Sequence, residues 1–244
     1  MLIELKKVAK SYKDSNFNLK DINIKINKKE VIGIIGQNGS GKSTILKMIN
    51  GLVKFDSGDV LYKGNSLKDM KDEELRNMRK NVSYIFQNFN LLEGESVYYH
   101  LSLIYKLNKQ KINNKEIDEI LEFMNIKHLK NSICKSLSGG QQQKVAIAMS
   151  LLQKPEILLC DEISSALDSN SEKEIYDLLI KLKETSDISI LIISHNLTVL
   201  KNFCDKVILI EDSTIKDTII PNPSNQVDYK KDYFNHVKEF LLND

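Results

Sequence analysis

The chain has 244 residues, 41% hydrophobic and 28% charged, enough to bury a sizeable core in one large domain or one domain with a small appended lobe. Its 35 basic and 33 acidic residues leave a net charge of +2 without a long single-sign block, which argues against a disordered chain and against non-specific nucleic-acid binding. The longest apolar runs, such as Ile188 to Ile193, fall far short of the about 20 residues of a membrane-spanning helix, and the amino terminus lacks a secretory pattern, so a cytosolic protein is expected.

In chain order, Leu2 to Leu5 and Leu19 to Ile26 alternate apolar and polar residues as half-buried antiparallel strands do. Together with Gly58 to Gly64 they predict a small β-rich lobe. Glu30 to Ile35 is an apolar run ending in glycines, and helical spacing resumes from Ile45 to Leu52, which reads as strand, loop, helix. Residues 67 to 80 read as a charged helix, and Val82 to Phe86 as an apolar strand that delivers Gln87. Residues 97 to 131 form a run of helices, where Ile117, Ile120, Leu121 and Met124 carry the 3.6-residue period.

A helix from Gln141 to Leu152 is broken by Pro155. Strands at Ile157 to Cys160, Ile188 to Ile193 and Lys206 to Ile210 then alternate with helices at 171 to 185 and Leu197 to Phe203. This alternation predicts a largely parallel sheet covered on both faces. Pro221 and Pro223 mark a break, after which Tyr229, Tyr233, Phe234, Val237, Phe240 and Leu241 suggest one short amphipathic helix in a tail at 221–244. Cys134, Cys160 and Cys204 are widely spaced and odd in number, so neither a disulfide framework nor a zinc site is indicated.

Gly36-Gln37-Asn38-Gly39-Ser40-Gly41-Lys42-Ser43-Thr44 lies between that strand and that helix, the setting of a phosphate-binding loop. Its glycines let successive N–H groups turn toward phosphate oxygens, assisted by the positive end of the helix. Lys42 is placed to reach the β and γ phosphates of a nucleoside triphosphate, and Ser43 to put its hydroxyl on Mg²⁺. Further on, an apolar strand runs into Asp161-Glu162. Successive strand residues point in opposite directions, so Asp161 is the candidate for holding the Mg²⁺ water shell and Glu162 for polarising an attacking water.

About a hundred residues after the phosphate loop comes Leu137-Ser138-Gly139-Gly140-Gln141, two glycines and a hydroxyl ahead of a helix. Five of the ten glycines lie in these two motifs, and none follows Gly140. Three further elements occur in order: Gln87 after a strand, Ser165-Ala166-Leu167-Asp168 after Glu162, and His195 after another strand. On these six elements the chain resembles the ATP-hydrolysing subunits of ATP-binding-cassette (ABC) transporters, from residue 1 to about 217.

The resemblance implies an α/β P-loop NTPase fold of the ABC type within residues 1–220, with a largely parallel core sheet, an antiparallel β lobe and a helical subdomain at about 88–152. It implies ATP and Mg²⁺ as cofactors. Gly36, Asn38, Gly39, Ser40, Gly41, Lys42, Ser43 and Thr44 would surround the phosphates, with Tyr12 against the adenine. Ser43, Gln87 and Asp161 would serve the metal, and Glu162, His195 and Gln87 catalysis. Ser138, Gly139, Gly140, Gln141 and Asp168 would complete the nucleotide contacts, with Ser138 reaching the γ-phosphate held by Lys42 of a second subunit. Two chains, as a homodimer, would then sandwich two ATP molecules head to tail.

Such subunits drive transmembrane permease subunits from the cytoplasmic face of the membrane, in importers with an extracytoplasmic solute-binding protein and with no nucleic acid. Phe86 to Leu92, Leu158 to Glu162 and Asn196 to Asp205 are most similar to methionine-importer ATPases, so amino-acid import is expected. The alternative is lipoprotein or peptide export, or a cell-division complex. Methionine importers usually add a regulatory domain of roughly a hundred residues, whereas this sequence ends after one short helix. Lys144 and Met149 occupy positions where the family usually has arginines, Ile163-Ser164 replaces Pro-Thr or Ala-Thr, and Ile210 to Thr214 lacks a glycine turn. Each departure predicts local adjustment.

Overall fold

The computed structural model describes residues 1–12, 17–222 and 241–242. The first half contains β1 (Ile3–Ser11), β2 (Asn18–Ile26), β3 (Val31–Gly36), α1 (Lys42–Ile49), β4 (Ser57–Tyr62), β5 (Asn65–Ser66), α2 (Asp72–Asn81), β6 (Val82–Ile85), α3 (Val97–Leu107) and α4 (Asn114–Phe123). After short 3₁₀ turns at Lys127–Leu129 and Cys134–Ser136 come α5 (Gly139–Leu152), β7 (Ile157–Asp161), α6 (Ser169–Thr185), β8 (Ser189–Ile193), α7 (Leu197–Phe203), β9 (Lys206–Glu211) and β10 (Thr214–Ile219).

The described residues form two sheets. One is antiparallel, in the order β2-β1-β4-β5; the other runs β10-β9-β3-β8-β7-β6, parallel except where β10 pairs with β9. Every residue of β3, β7 and β8 is buried, as expected of parallel strands covered on both faces. The period of two is visible in the packing. Leu158, Cys160, Ile190 and Ile192 join an apolar cluster with α3 to α7, while Ile157, Leu159, Leu191 and Ile193 join another with α1 and the antiparallel lobe. The three cysteines are buried free thiols. No helix among the described residues is long and apolar enough to cross a membrane.

Several boundaries differ from the sequence reading. α1 starts at Lys42, because its first turn is polar and carries no periodic apolar signal, and ends before Gly51 at φ 71°. Residues 67–71, expected to open the helix, instead form a turn and a short connection after β5, so α2 begins only at Asp72. α5 begins at Gly139, which makes Gly139, Gly140 and Gln141 its first turn and Ser138 its cap. β10 was not anticipated. It is reached through Asp212 (φ 47°) and Ser213 (φ 58°), a two-residue hairpin turn with both φ positive, the geometry that usually selects glycine or asparagine.

The altered positions on α5 adjust locally. Lys144 pairs with Glu174 of α6 at 2.7 Å, and Met149 packs against the apolar core. Most of the helix expected after residue 221 lies outside the described residues. Leu241 is buried, and its carbonyl accepts the Asn222 N–H at 2.8 Å.

Asp168 caps α6. Its Oδ1 accepts the N–H groups of Asn170 and Ser171 at 3.0 Å each, and its Oδ2 accepts the Ser171 hydroxyl at 2.7 Å. Those bonds hold the Asp168 carboxyl below the usual carboxylate range. Asp168→Ala should lower the melting temperature by about 2–4 °C, the usual consequence of losing one helix cap in a domain of this size. Asp168→Asn should retain most of the stability, with thermal unfolding followed by circular dichroism as the measurement.

Candidate active site

The carboxyl ends of the neighbouring strands β3, β8, β7 and β6 share one edge of the parallel sheet, where open α/β sheets bind ligands. They lead directly into Gly36, into Ser194 and His195, into Asp161 and Glu162, and into Gln87. An open cavity of about 430 Å³ lies there, lined by Tyr12, Phe17, Asn38, Gly39, Gly41, Lys42, Ser43, Thr44, Gln87 and Glu162. A larger cavity of about 650 Å³ between β4, β5 and α2 contains none of the predicted site residues.

The loop after β3 enters α1 through Gly41, whose φ of 100° is open to glycine and unfavourable for an L side chain. A Cβ at this position would also lie 2.8 Å from Leu19. Within the loop, the Ser40 hydroxyl is buried without a partner among the described residues. A buried hydroxyl left in that state is unfavourable, and an anion seated against the loop would supply its acceptor. At the cavity mouth the Tyr12 and Phe17 rings lie 5.4 Å apart at 42°, offering apolar ring faces to a flat base.

Lys42 is buried. Its ammonium donates to the carbonyls of Gly36 at 2.9 Å and Gln37 at 3.1 Å and lies 3.9 Å from Glu162 Oε1. Burial draws its pKa below the ordinary lysine value, opposed by the carboxylates of Glu162 and Asp161. Asp161 is engaged on both oxygens. Ser43 donates to Oδ1 at 2.7 Å and Tyr84 to Oδ2 at 2.5 Å. Burial, and then the Asp161 bond, hold the Tyr84 phenol well above its usual pKa, so it remains a donor.

Glu162 follows the strand with φ 48°, a left-handed conformation that costs a non-glycine residue on the order of 1–3 kcal/mol. Its carbonyl is anchored by the Ser165 N–H at 3.1 Å and the Ser165 hydroxyl at 2.9 Å. Its carboxylate meets His195 Nε2 at 3.3 Å and Gln87 Nε2 at 3.4 Å, and Gln87 also donates to Ser165 Oγ at 3.2 Å. A carboxylate only accepts, so the proton of the His195 contact sits on Nε2.

Lys42, Ser43, Gln87, Asp161, Glu162 and His195 are therefore brought into one constellation, with Tyr12 at the cavity edge. Ser138, Gly139, Gly140 and Gln141 do not line this cavity, and neither does Asp168, whose carboxylate is occupied by the α6 cap. Gly140 has a reason within the chain for being glycine, since a Cβ there would lie 2.8 Å from Ser171. Phe17 and Tyr84 are participants that the sequence reading missed. Tyr84 carried a weak signal as a phenol in a strand otherwise suited to apolar residues.

Among the described residues no group of three or more His, Cys, Asp or Glu side chains could enclose a metal. The hard oxygens of Ser43 and Asp161, 2.7 Å apart, suit Mg²⁺, which takes one or two protein oxygens and completes its shell with phosphate oxygens and water.

Residues 19–165 match the family model described as ABC transporter. Over 234 residues the chain is 42% identical to the methionine import ATP-binding protein MetN of Clostridium acetobutylicum, covering 93% of this chain and 72% of that protein. The corresponding Helicobacter pylori protein (strain HPAG1) is 37% identical with the same coverage. Among solved structures, cbiO1 from Clostridium perfringens, part of the ABC transporter complex cbiONQ, superposes with a TM-score of 0.81 at 30% identity over 90% of this chain and 88% of its own. A dimeric ATP-binding cassette in a post-hydrolysis state with ADP and Pi gives 0.81 at 31% identity over 90% and 98%. With the phosphate loop and acidic pair at one edge of the parallel sheet and the Leu137–Gln141 signature opening α5, the chain belongs to the ABC transporter family and is one of its ATP-hydrolysing subunits.

Proposed function

We propose that this ATPase powers the import of methionine or a similar amino acid, as a homodimer docked on transmembrane permease subunits at the cytoplasmic face of the membrane. Residues 1–220 form the ATPase domain in this reading, with residues 88–152 as its helical subdomain. The observation that carries the solute is the 42% identity, over 93% of the chain, to a protein named for methionine import. An extracytoplasmic solute-binding protein is the corresponding source of the solute.

As ATP enters, Lys42 exchanges the Gly36 and Gln37 carbonyls for phosphate oxygens, and Tyr12 with Phe17 packs against the base. Ser43, Asp161 and Gln87 would hold Mg²⁺, which when bound neutralises phosphate charge. Glu162 polarises the attacking water, with Gln87 and His195 fixing the carboxylate.

The signature supplies the other half of a site. Ser138 and Gln141 cap each other, Ser138 Oγ accepting the Gln141 N–H at 3.3 Å and Gln141 Oε1 the Ser138 N–H at 2.9 Å. In an α-helix the first-turn N–H groups of Gly139 and Gly140 have no acceptor of their own. Ser138 is exposed and outside its own chain's cavity, which favours a γ-phosphate held by a partner subunit as the anion at this helix end.

Glu162→Gln should retain ATP binding, lose at least about 100-fold in turnover, and accumulate as an ATP-bound dimer in size-exclusion chromatography. Normal turnover with its membrane partners present would remove Glu162 from catalysis. Lys42→Ala and Ser138→Arg chains should each fail to trap nucleotide alone, yet a mixed dimer should trap one ATP, because one of its two composite sites is intact. No trapping in the mixture would rule out the head-to-tail arrangement. Cells lacking this protein should lose ATP-dependent uptake of labelled methionine; unchanged uptake would reject the solute and leave the ATPase assignment untouched.

A further inference from the structure

Next to the loops that carry Glu162 and His195 lies a row of buried hydroxyls with no part in the chemistry above. Ser164, two residues beyond Glu162, is 3.0 Å from the Tyr176 hydroxyl, and that hydroxyl is 3.1 Å from Ser194, the residue before His195. At one end Ser164 Oγ donates to Glu172 Oε1 at 2.9 Å; at the other, the Asn196 N–H donates to Ser194 Oγ at 3.0 Å. Ser164, Tyr176 and Ser194 are 8%, 5% and 4% exposed, so water has little access to the row.

Each hydroxyl owns a single proton, and this sets the direction of every bond. Glu172 only accepts, so Ser164 gives its proton to Glu172 and must accept from Tyr176. Tyr176, having given its proton, accepts from Ser194, which in turn accepts from the Asn196 N–H. Burial holds the Tyr176 phenol above its ordinary pKa, which keeps its proton in place. The bonds therefore run with one polarity from the loop after β8 to Glu172. Aligned bonds in a dry interior polarise one another, so the chain resists distortion more than its separate links would. Glu172 and Tyr176 are four residues apart on α6 and share a helix face. The helix thus grips the loop after β7 through Ser164 and the loop after β8 through Ser194.

We infer that Tyr176 is a positioning residue for hydrolysis, its hydroxyl holding the two loops at the spacing that keeps His195 Nε2 within 3.3 Å of Glu162 Oε1. The inference rests on the roles assigned to Glu162 and His195 in the proposed function, whereas the hydroxyl chain is geometry and does not.

Tyr176→Phe removes only the hydroxyl. The ring still fills its place, Ser164 keeps Glu172 and Ser194 keeps the Asn196 N–H but loses its own acceptor, so the fold should persist with a melting temperature lowered by roughly 2–8 °C. Turnover by the full chain should fall about 3–10-fold, as expected when two buried hydrogen bonds beside the site are lost and part of their net worth reaches the transition state, while the KM for ATP stays the same. In histidine-selective NMR of the nucleotide-free chain, the ring signals of His195 should shift and those of His100 and His128 should not. Unchanged turnover in Tyr176→Phe, or unmoved His195 signals, would overturn the proposal. The catalytic assignment is checked separately: if Glu162→Gln and His195→Ala are impaired while Tyr176→Phe is not, the failure belongs to Tyr176. If all three turn over normally, it belongs to the site.

Discussion

Hydrogen-bonded register between parallel strands sets the distances among the reacting groups. Ile85 pairs with Cys160, so the next residues of both chains bring Gln87 beside Glu162; Asp161 pairs with Ile193, so Glu162 comes beside Ser194 and His195. Ile34 also pairs with Ile193, which starts the phosphate loop level with the same edge. Neighbouring strands lie about 4.8 Å apart, a gap that the Gln87, Glu162 and His195 side chains span. A slip of one residue in β7 would exchange the residues on its two buried faces and separate Asp161 from Ser43. The apolar clusters on the two faces, which need Ile157 and Leu159 on one side and Leu158 and Cys160 on the other, penalise that slip heavily.

Charge is balanced within this frame before any ligand arrives. Lys42 and Asp161 are both buried, and neither is left without a partner: the lysine has two carbonyls and a nearby glutamate, the aspartate two hydroxyl donors. Buried charges persist in proteins on these terms. The same balance explains how Glu162 tolerates its left-handed backbone, because its carbonyl and both carboxylate oxygens are engaged by groups from three different chain segments.

Much of the fold and of the site was legible because the signals are local. A phosphate loop is nine consecutive residues, an acidic strand end is six, and buried strands announce themselves as short apolar runs. What escaped depends on partners distant in sequence. Tyr84 meets Asp161 across 77 positions, and neither residue hints at the other. Phe17 lines the cavity only because β2 returns beside the phosphate loop. Tyr176 reads as one more residue on the apolar face of α6, and its hydroxyl acquires meaning only from Ser164 and Ser194. Gly140 is expected among the nucleotide contacts, and its contact with Ser171 of the same chain, a separate reason for the missing Cβ, carries no sequence signal. β10 escaped because Asp212 and Ser213 take a backbone conformation for which glycine is the usual marker.

The resting position of Lys42 has a further consequence. Its ammonium holds two carbonyls of the loop it serves, so any incoming anion competes for it with groups that belong to the same loop. Affinity then measures a difference between two sets of partners for one cation, and the gain grows with the charge the anion brings. Charge concentrated on adjacent phosphates competes better than a lone phosphate does, so the loop favours charge density independently of the shape of the base.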